Sequence, residues 1–225
     1  MNLIPIVGPI MLMGWQCEIL QRLLKRHSNP IPKLTLDDFG YWLGRGLAPF
    51  VIVLIVTVPV VFVVVFVMFL LTFGMAVFAG AFAQQGGEPN PLLPLIGVGA
   101  SFLTYLAFMI VFGMLVTSVL IRAELTEDIG QALEFRKIWA YVRSTWKDVL
   151  ISQLVFIPFA FAAALGGMLM LFFGIYAAII VIMVASLHIR WQIYERYLSR
   201  GGEPIPIQTK SGPLPSEQKV AVAST

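Results

Sequence analysis

Hydrophobic positions in this chain come in long unbroken blocks. Residues 47–83, 92–121 and 149–189 hold no Asp, Glu, Lys or Arg, and His188 is the only histidine among them. A helix that crosses a bilayer needs about 20 apolar residues, so each block can cross at least once. The pattern predicts an all-α, polytopic helical membrane protein. Shorter stretches beside the blocks are amphipathic with helical period. Residues 18–26 set Ile19, Leu20, Leu23 and Leu24 opposite Arg22, Lys25 and Arg26. Residues 35–47 open on Thr35 with Asp38 three positions on, a capping-box spacing, and carry a stripe of Leu36, Phe39, Leu43 and Leu47. Residues 127–149 place Phe135, Ile138, Trp139, Val142, Trp146 and Val149 at helical spacing, opposed by Arg136, Arg143 and Lys147.

Block length sets the number of crossings. The block 47–83 would be about 55 Å long as a helix, against about 30 Å of hydrocarbon. It is therefore expected to tilt, kink near Pro59 or break near Gly74. The block 149–189 suits a hairpin of two helices turning at Gly166-Gly167. Residues 3–13 are too short to cross alone and carry Pro5, Gly8 and Pro9, so a partial span or an interfacial segment is expected there. The predicted membrane domain covers 1–198, with about four or five spans near 1–17 (partial), 47–75, 94–121, 149–165 and 168–189. Residues 199–225 contain Gly201-Gly202 and four prolines and are expected to form a disordered tail. A faint repeat at an offset of 99 aligns Phe39, Trp42, Leu47 and Pro59 with Ile138, Tyr141, Trp146 and Pro158.

Charge adds an orientation. Only 12% of the residues are charged, about half the share a soluble domain carries. The fifteen Lys and Arg residues fall into three groups, Arg22 to Arg45, Arg122 to Lys147, and Arg190 to Lys219. Short cation-rich loops stay cytoplasmic, so all three groups and the C-terminus are expected inside the cytoplasmic membrane of a prokaryote, and the cation-free break 84–90 outside. A secretory signal opens with cations, whereas the first cation here is Arg22, beyond the apolar start. One cysteine, Cys17, excludes an internal disulfide and a cysteine metal cluster. Nucleic-acid binding calls for a basic face on a soluble module, and the pattern offers none.

Candidate chemistry is sparse. Asp38-Phe39-Gly40 spells the kinase magnesium triplet without any other kinase motif, and reads as a helix start. Gly97-x-Gly99 lacks the third glycine of a dinucleotide fingerprint, because Phe102 stands there. His188 reads as an interfacial polar residue, His27 as a solvated loop residue and Cys17 as a small buried hydrophobe. Glu124, Glu127, Asp128 and Glu134 precede cations on a helix, so local pairing is expected for them. Ion-coupled transporters and intramembrane proteases place charged groups inside the bilayer, and the apolar blocks place none there. No catalytic residue, metal ligand or cofactor site is therefore assigned.

The opening Ile4-Pro5-Ile6-Val7, then Gly14-Trp15 and Glu18-Ile19-Leu20, resembles the start of the prokaryotic membrane family called domain of unknown function 4013. So does Pro32 followed by Asp37-Asp38-Phe39-Gly40 and Gly46-Leu47, and so does Arg122-Ala123-Glu124 followed by Ala132-Leu133-Glu134-Phe135. The resemblance runs from about residue 3 to 197. It implies a multi-pass bacterial or archaeal membrane protein with no established activity, and it carries over no catalytic or ligand residue. The family usually has further apolar residues before the Ile-Pro, so a trimmed or misassigned start is expected here. The helix-plus-hairpin layout also resembles membrane domains that accompany some glycerophosphodiester phosphodiesterases, a likeness of fold from which function does not follow.

The expected function is that of a non-enzymatic membrane component, a scaffold, accessory subunit or lipid-interacting protein. A transporter or channel for a neutral or apolar solute is the alternative. Arg136, Lys137, Arg143 and Lys147 with Trp139 and Trp146 are expected to meet lipid headgroups, anionic ones above all. Ala160, Ala163, Ala164 and Gly167 form small-xxx-small pairs suited to helix packing. The expected partners are membrane lipids and a membrane protein or second copy of the chain, and nucleic acid is not among them.

Overall fold

The computed structural model describes residues 7–84, 92–210 and 212–218. Among the described residues six α-helices follow one another: α1 Val7–Leu24, α2 Phe39–Gln84, α3 Leu92–Thr126, α4 Ile129–Ala132, α5 Phe135–Leu169 and α6 Leu171–Ser199. No strand occurs among the described residues. Four helical segments there are long and apolar enough to cross a membrane, namely Phe39–Met75, Ile96–Thr126, Phe135–Leu169 and Gly174–Ser199. The protein is thus an all-α, polytopic helical membrane protein.

The chain divides into two compact units, Ile55–Gly113 and the pair of segments Met1–Leu54 and Met114–Thr225. Within Ile55–Gly113, Phe62, Phe66, Phe69, Phe73, Ile96, Val98 and Phe102 are all exposed. Aromatic and branched side chains turned outward on a long helix are those of a lipid-facing surface, since lipid is as apolar as they are.

The other unit, here called the base, has a true core. Ile19 and Leu20 of α1 meet Ile121 and Leu125 of α3, Tyr141 and Val149 of α5, and Leu187, Ile193, Tyr194 and Tyr197 of α6. A second cluster joins Met11 to Tyr41, Trp42 and Leu214. Helix α1 lies against α2 backbone to backbone. A Cβ on Gly14 would run into the Trp42 carbonyl, and one on Gly46 into the Ile10 carbonyl. Trp15 closes the corner by donating Nε1–H to the Pro32 carbonyl at 3.0 Å.

Several expectations need correction. Helix α2 runs unbroken for 46 residues, so the chain does not break at Gly74. Glycine costs a helix only about 1 kcal/mol, which the surrounding apolar helix tolerates. The hairpin between α5 and α6 turns at Met170, not at Gly166-Gly167. Gly167 is instead buried in the packed pair, where an added Cβ would lie 2.8 Å from the Gly174 carbonyl oxygen and 2.9 Å from the Ala178 Cβ. The stripe in 35–47 faces outward at Phe39 and Leu47, whereas Tyr41, Trp42, Arg45 and Gly46 face in. In 18–26 the apolar face of Ile19, Leu20, Leu23 and Leu24 packs on the core and Lys25 and Arg26 are exposed, but Arg22 is buried.

The stretch 127–149 is not one helix. Helix α3 continues to Thr126, and Glu127 breaks it with φ +47°. Asp128 then caps α4, accepting from the Gln131 N–H at 3.1 Å. Nor is the tail disordered over its described part. Ile205 and Leu214 are buried, Gln208 N–H donates to the Leu125 carbonyl at 2.9 Å, and Ser216 N–H donates to Asp38 at 2.9 Å. The expected first span falls partly on residues 1–6, which lie outside the described residues, as does the outer break from 85 to 90.

Candidate functional site

The interior of the base holds many charged side chains. Arg45, fully buried on the second turn of α2, donates from Nε to Glu127 Oε1 at 2.7 Å, and its Nη atoms reach Glu127 and Glu18. Tyr41, one turn earlier, donates its hydroxyl to Glu18 at 3.0 Å and accepts from Arg45 at 2.9 Å. Gln21 donates to Glu127 at 3.0 Å and to the Glu124 carbonyl at 3.1 Å. The same Glu127 accepts the Lys210 N–H at 3.2 Å, which draws the tail in. One carboxylate therefore ties α1, α2, the end of α3 and the tail together. Its left-handed backbone, uncommon outside Gly, Asn and Asp, is held there by these bonds.

A second pair lies beside it. Arg190 of α6 donates to Glu124 at 2.8 Å and to Gln16 at 3.3 Å, all three buried. Arg22 donates from Nη2 to both oxygens of Glu217 at 2.9 and 3.0 Å and also pairs with Glu18. Asp148 of α5 accepts from Arg196 at 3.3 Å and from Arg200. Burial tends to raise the Glu18 carboxyl, but the hydrogen bond from Arg22 and the charges of Arg45 and Arg22 outweigh it, so it stays below its ordinary value. Asp128 is lowered too, first by the Gln131 N–H and then by Lys210.

Sequence reasoning missed this network. Glu124 and Glu127 were expected to pair locally, yet their partners Arg190 and Arg45 lie 66 and 82 positions away. Only Glu134 pairs nearby, with Lys137 at 2.9 Å. The available signals were Gln16 and Gln21 inside an apolar helix and the i,i+4 pair Glu18–Arg22. Cys17 is buried, as expected. His188 is exposed and bonded to Gln192, and His27 is exposed beside Asn29.

The residues singled out on α5 fall into two sets. Trp139 and Trp146 are 63% and 45% exposed, Arg136, Arg143 and Lys147 are exposed, and the Lys147 ammonium stands 5.4 Å from the Trp146 ring centroid. Arg136 and Lys137 also border a cavity of about 470 Å³ with Arg122, Tyr141 and Tyr197. In the packing set, Gly167 is buried, Ala160 and Ala163 are half-buried and Ala164 is exposed. Among the described residues no three His, Cys, Asp or Glu side chains come together as a metal site.

Several of the residues that carried the family resemblance meet in this base. Gly14 and Gly46 form the α1–α2 crossing, Trp15 and Pro32 share a hydrogen bond, Glu18 and Glu124 bind arginines, and Asp38 holds the tail. No curated protein and no solved structure matches the chain. The model of one family, described as "Protein of unknown function (DUF4013)", matches residues 1–172 of the 225. A motif set that assembles one structural base, together with a match over most of its length, makes this chain a member of the family Protein of unknown function (DUF4013).

Proposed function

We propose that the protein is a non-catalytic membrane component, a scaffold or lipid-interacting accessory subunit, whose charged base rests at the cytoplasmic headgroup layer of a prokaryotic inner membrane. One observation carries this reading. Along the outer face of α5, exposed Arg143, Trp146 and Lys147 give way within one turn to exposed Ile151, Leu154 and Val155. Cations and indoles favour the headgroup level, and bare aliphatic side chains favour the hydrocarbon next to it. The buried ion pairs support the same reading, because their charges answer one another and hold the helices in one arrangement.

Cations close to an anionic leaflet gain about 1 kcal/mol each. Purified protein is therefore expected to retain anionic over zwitterionic lipid, with the preference fading in high salt as screening grows. Replacing Arg136, Lys137, Arg143 and Lys147 together by glutamine removes that preference while the helix content stays. Unchanged lipid retention and salt dependence in the quadruple variant would sink the proposal.

A second reading, passage of a neutral or apolar solute, rests on a half-open cavity of about 520 Å³ in the base. Leu12, Met13, Leu120, Phe156 and Met183 line it, with Gln16, Tyr176, Ser186 and Arg190 as its polar residues. Solute flux in liposomes that a Met183→Trp substitution blocks would favour this reading over the first.

A further inference from the structure

Four arginines are buried in the base, Arg22, Arg45, Arg122 and Arg190. Three have a carboxylate partner, Arg22 with Glu18 and Glu217, Arg45 with Glu127 and Glu18, and Arg190 with Glu124. Arg122 has none among the described residues. It is 4% exposed, its Nη2 donates to the Gln131 carbonyl at 2.6 Å, and its Nε is enclosed without a partner. Glu134 and Glu203 act on it only through space, whereas every other buried arginine in the base is held by a direct carboxylate contact that offsets the cost of leaving water.

What lies beside Arg122 is an open pocket. Its cavity of about 470 Å³ is walled by Tyr141 and Tyr197 and by the tail segment Glu203, Pro204, Ile205 and Pro206, with Arg136 and Lys137 at its border. The Tyr141 hydroxyl, on a side chain 2% exposed, is a second enclosed polar atom with no partner. Lys137 is engaged by Glu134, and Glu203 is exposed. The lining charges thus sum to a positive excess, with two buried donors lacking an acceptor. The volume suits a small ligand. Arginine forks match phosphate oxygens.

We propose that this pocket binds a phosphate ester, with Arg122 and Tyr141 as buried donors and Arg136 and Lys137 closing over the anion. The ester is either the headgroup of a membrane phospholipid or a soluble phosphate. The proposal rests on the headgroup reading above for the expectation that lipid is the carrier, and its own content is a stoichiometric site beneath that surface. Glu203, the one carboxylate on the lining, is exposed and would pair with an ammonium or hydroxyl on the same ligand.

The test measures thermal stability of the full chain in neutral detergent against added phosphatidylglycerol, phosphatidylcholine and glycerol 3-phosphate. A saturable shift with phosphatidylglycerol but not glycerol 3-phosphate identifies lipid as the carrier, and a shift with both identifies the phosphate ester alone as sufficient. Tyr141→Phe, which removes only the hydroxyl, is expected to weaken binding about tenfold. Arg122→Gln is expected to weaken it about a hundredfold. The double variant Arg143→Gln, Lys147→Gln lies outside the pocket and should leave the saturable shift intact while reducing adsorption to anionic vesicles. Absence of any shift in the parent chain, or the same shift in Tyr141→Phe as in the parent, overturns the site. If the shift survives in both pocket variants but vesicle adsorption falls in the outer double variant, the pocket fails and the headgroup surface stands.

Discussion

Glu127 shows how much one side chain can decide. It is fully buried, sits on a left-handed residue, and accepts from Arg45, Gln21 and the Lys210 backbone. Removing one partner of such a pair leaves the other charge buried and uncompensated, at a cost of about 3–5 kcal/mol. Glu127→Ala is therefore expected to lower the unfolding free energy in detergent by that amount. Replacing Arg45 and Glu127 together by apolar residues should restore much of the loss. A Glu127→Ala chain as stable as the parent would show that the network does not hold the base.

The same cluster gives the base a pH dependence of definite sign. The folded-state pKa of Glu18 is depressed, with Arg22 and Arg45 prevailing over burial, and Asp128 is depressed by the Gln131 N–H and Lys210. Groups shifted down contribute stability above their ordinary values, about 4 for a carboxylate, and lose it as pH falls through the folded-state values. The melting temperature should thus hold near neutrality and fall below about pH 4, with Glu18→Gln flattening that fall. Acid melting identical in the variant would remove Glu18 from the account.

At the scale of elements, close approach decides which helices pair. The Gly167 site on α5 faces Gly174 and Ala178 of α6, and the Gly14 site on α1 faces Trp42 of α2. Small residues at a crossing let backbones touch, where dispersion contacts replace the missing hydrophobic drive. Gly167→Leu is expected to destabilise the hairpin, since both neighbours are backbone or Cβ atoms with nowhere to move. Ala164→Leu, on an exposed position, should leave the monomer's melting unchanged and act only on an oligomer, if Ala164 lies in one. Leu154→Ile, also exposed, should change neither. Melting curves and sizing in detergent separate these outcomes, and a Gly167→Leu chain as stable as the parent would refute the packing argument.

At the scale of the molecule, three groups of cations predict an orientation. Cysteine at Gln85, in a chain lacking Cys17, is expected to react with an impermeant thiol reagent from outside the cell, and cysteine at the exposed Ser144 is not. Labelling in the reverse pattern would overturn the cytoplasmic assignment of the base.

Long apolar blocks and their sparse charge settled from sequence that this is a helical membrane protein, because about 20 apolar residues cross a bilayer whatever their order. Helices α2 and α6 nevertheless run beyond the apolar stretches expected to span, to Gln84 and Ser199, because a helix continues past the apolar residues wherever its backbone and packing allow. The motifs of the family were equally legible, yet what they do was not. Gly14 and Gly46 need their partner helix in place before a crossing exists. Which face of 35–47 turns inward depended on Arg45 finding Glu127, 82 positions later. Periodicity saw Phe39 and Leu47 as an apolar stripe, and in lipid an apolar stripe can face outward as readily as inward. The described part of the tail had the composition of a disordered segment and is ordered by Glu127, Gln21, Arg22 and Asp38. Composition measures only what a segment can bury by itself, whereas partners distant in sequence are supplied by the fold. The same holds for the pocket at Arg122, where a buried guanidinium without a salt bridge becomes visible only once each other buried arginine in the base has been given its carboxylate.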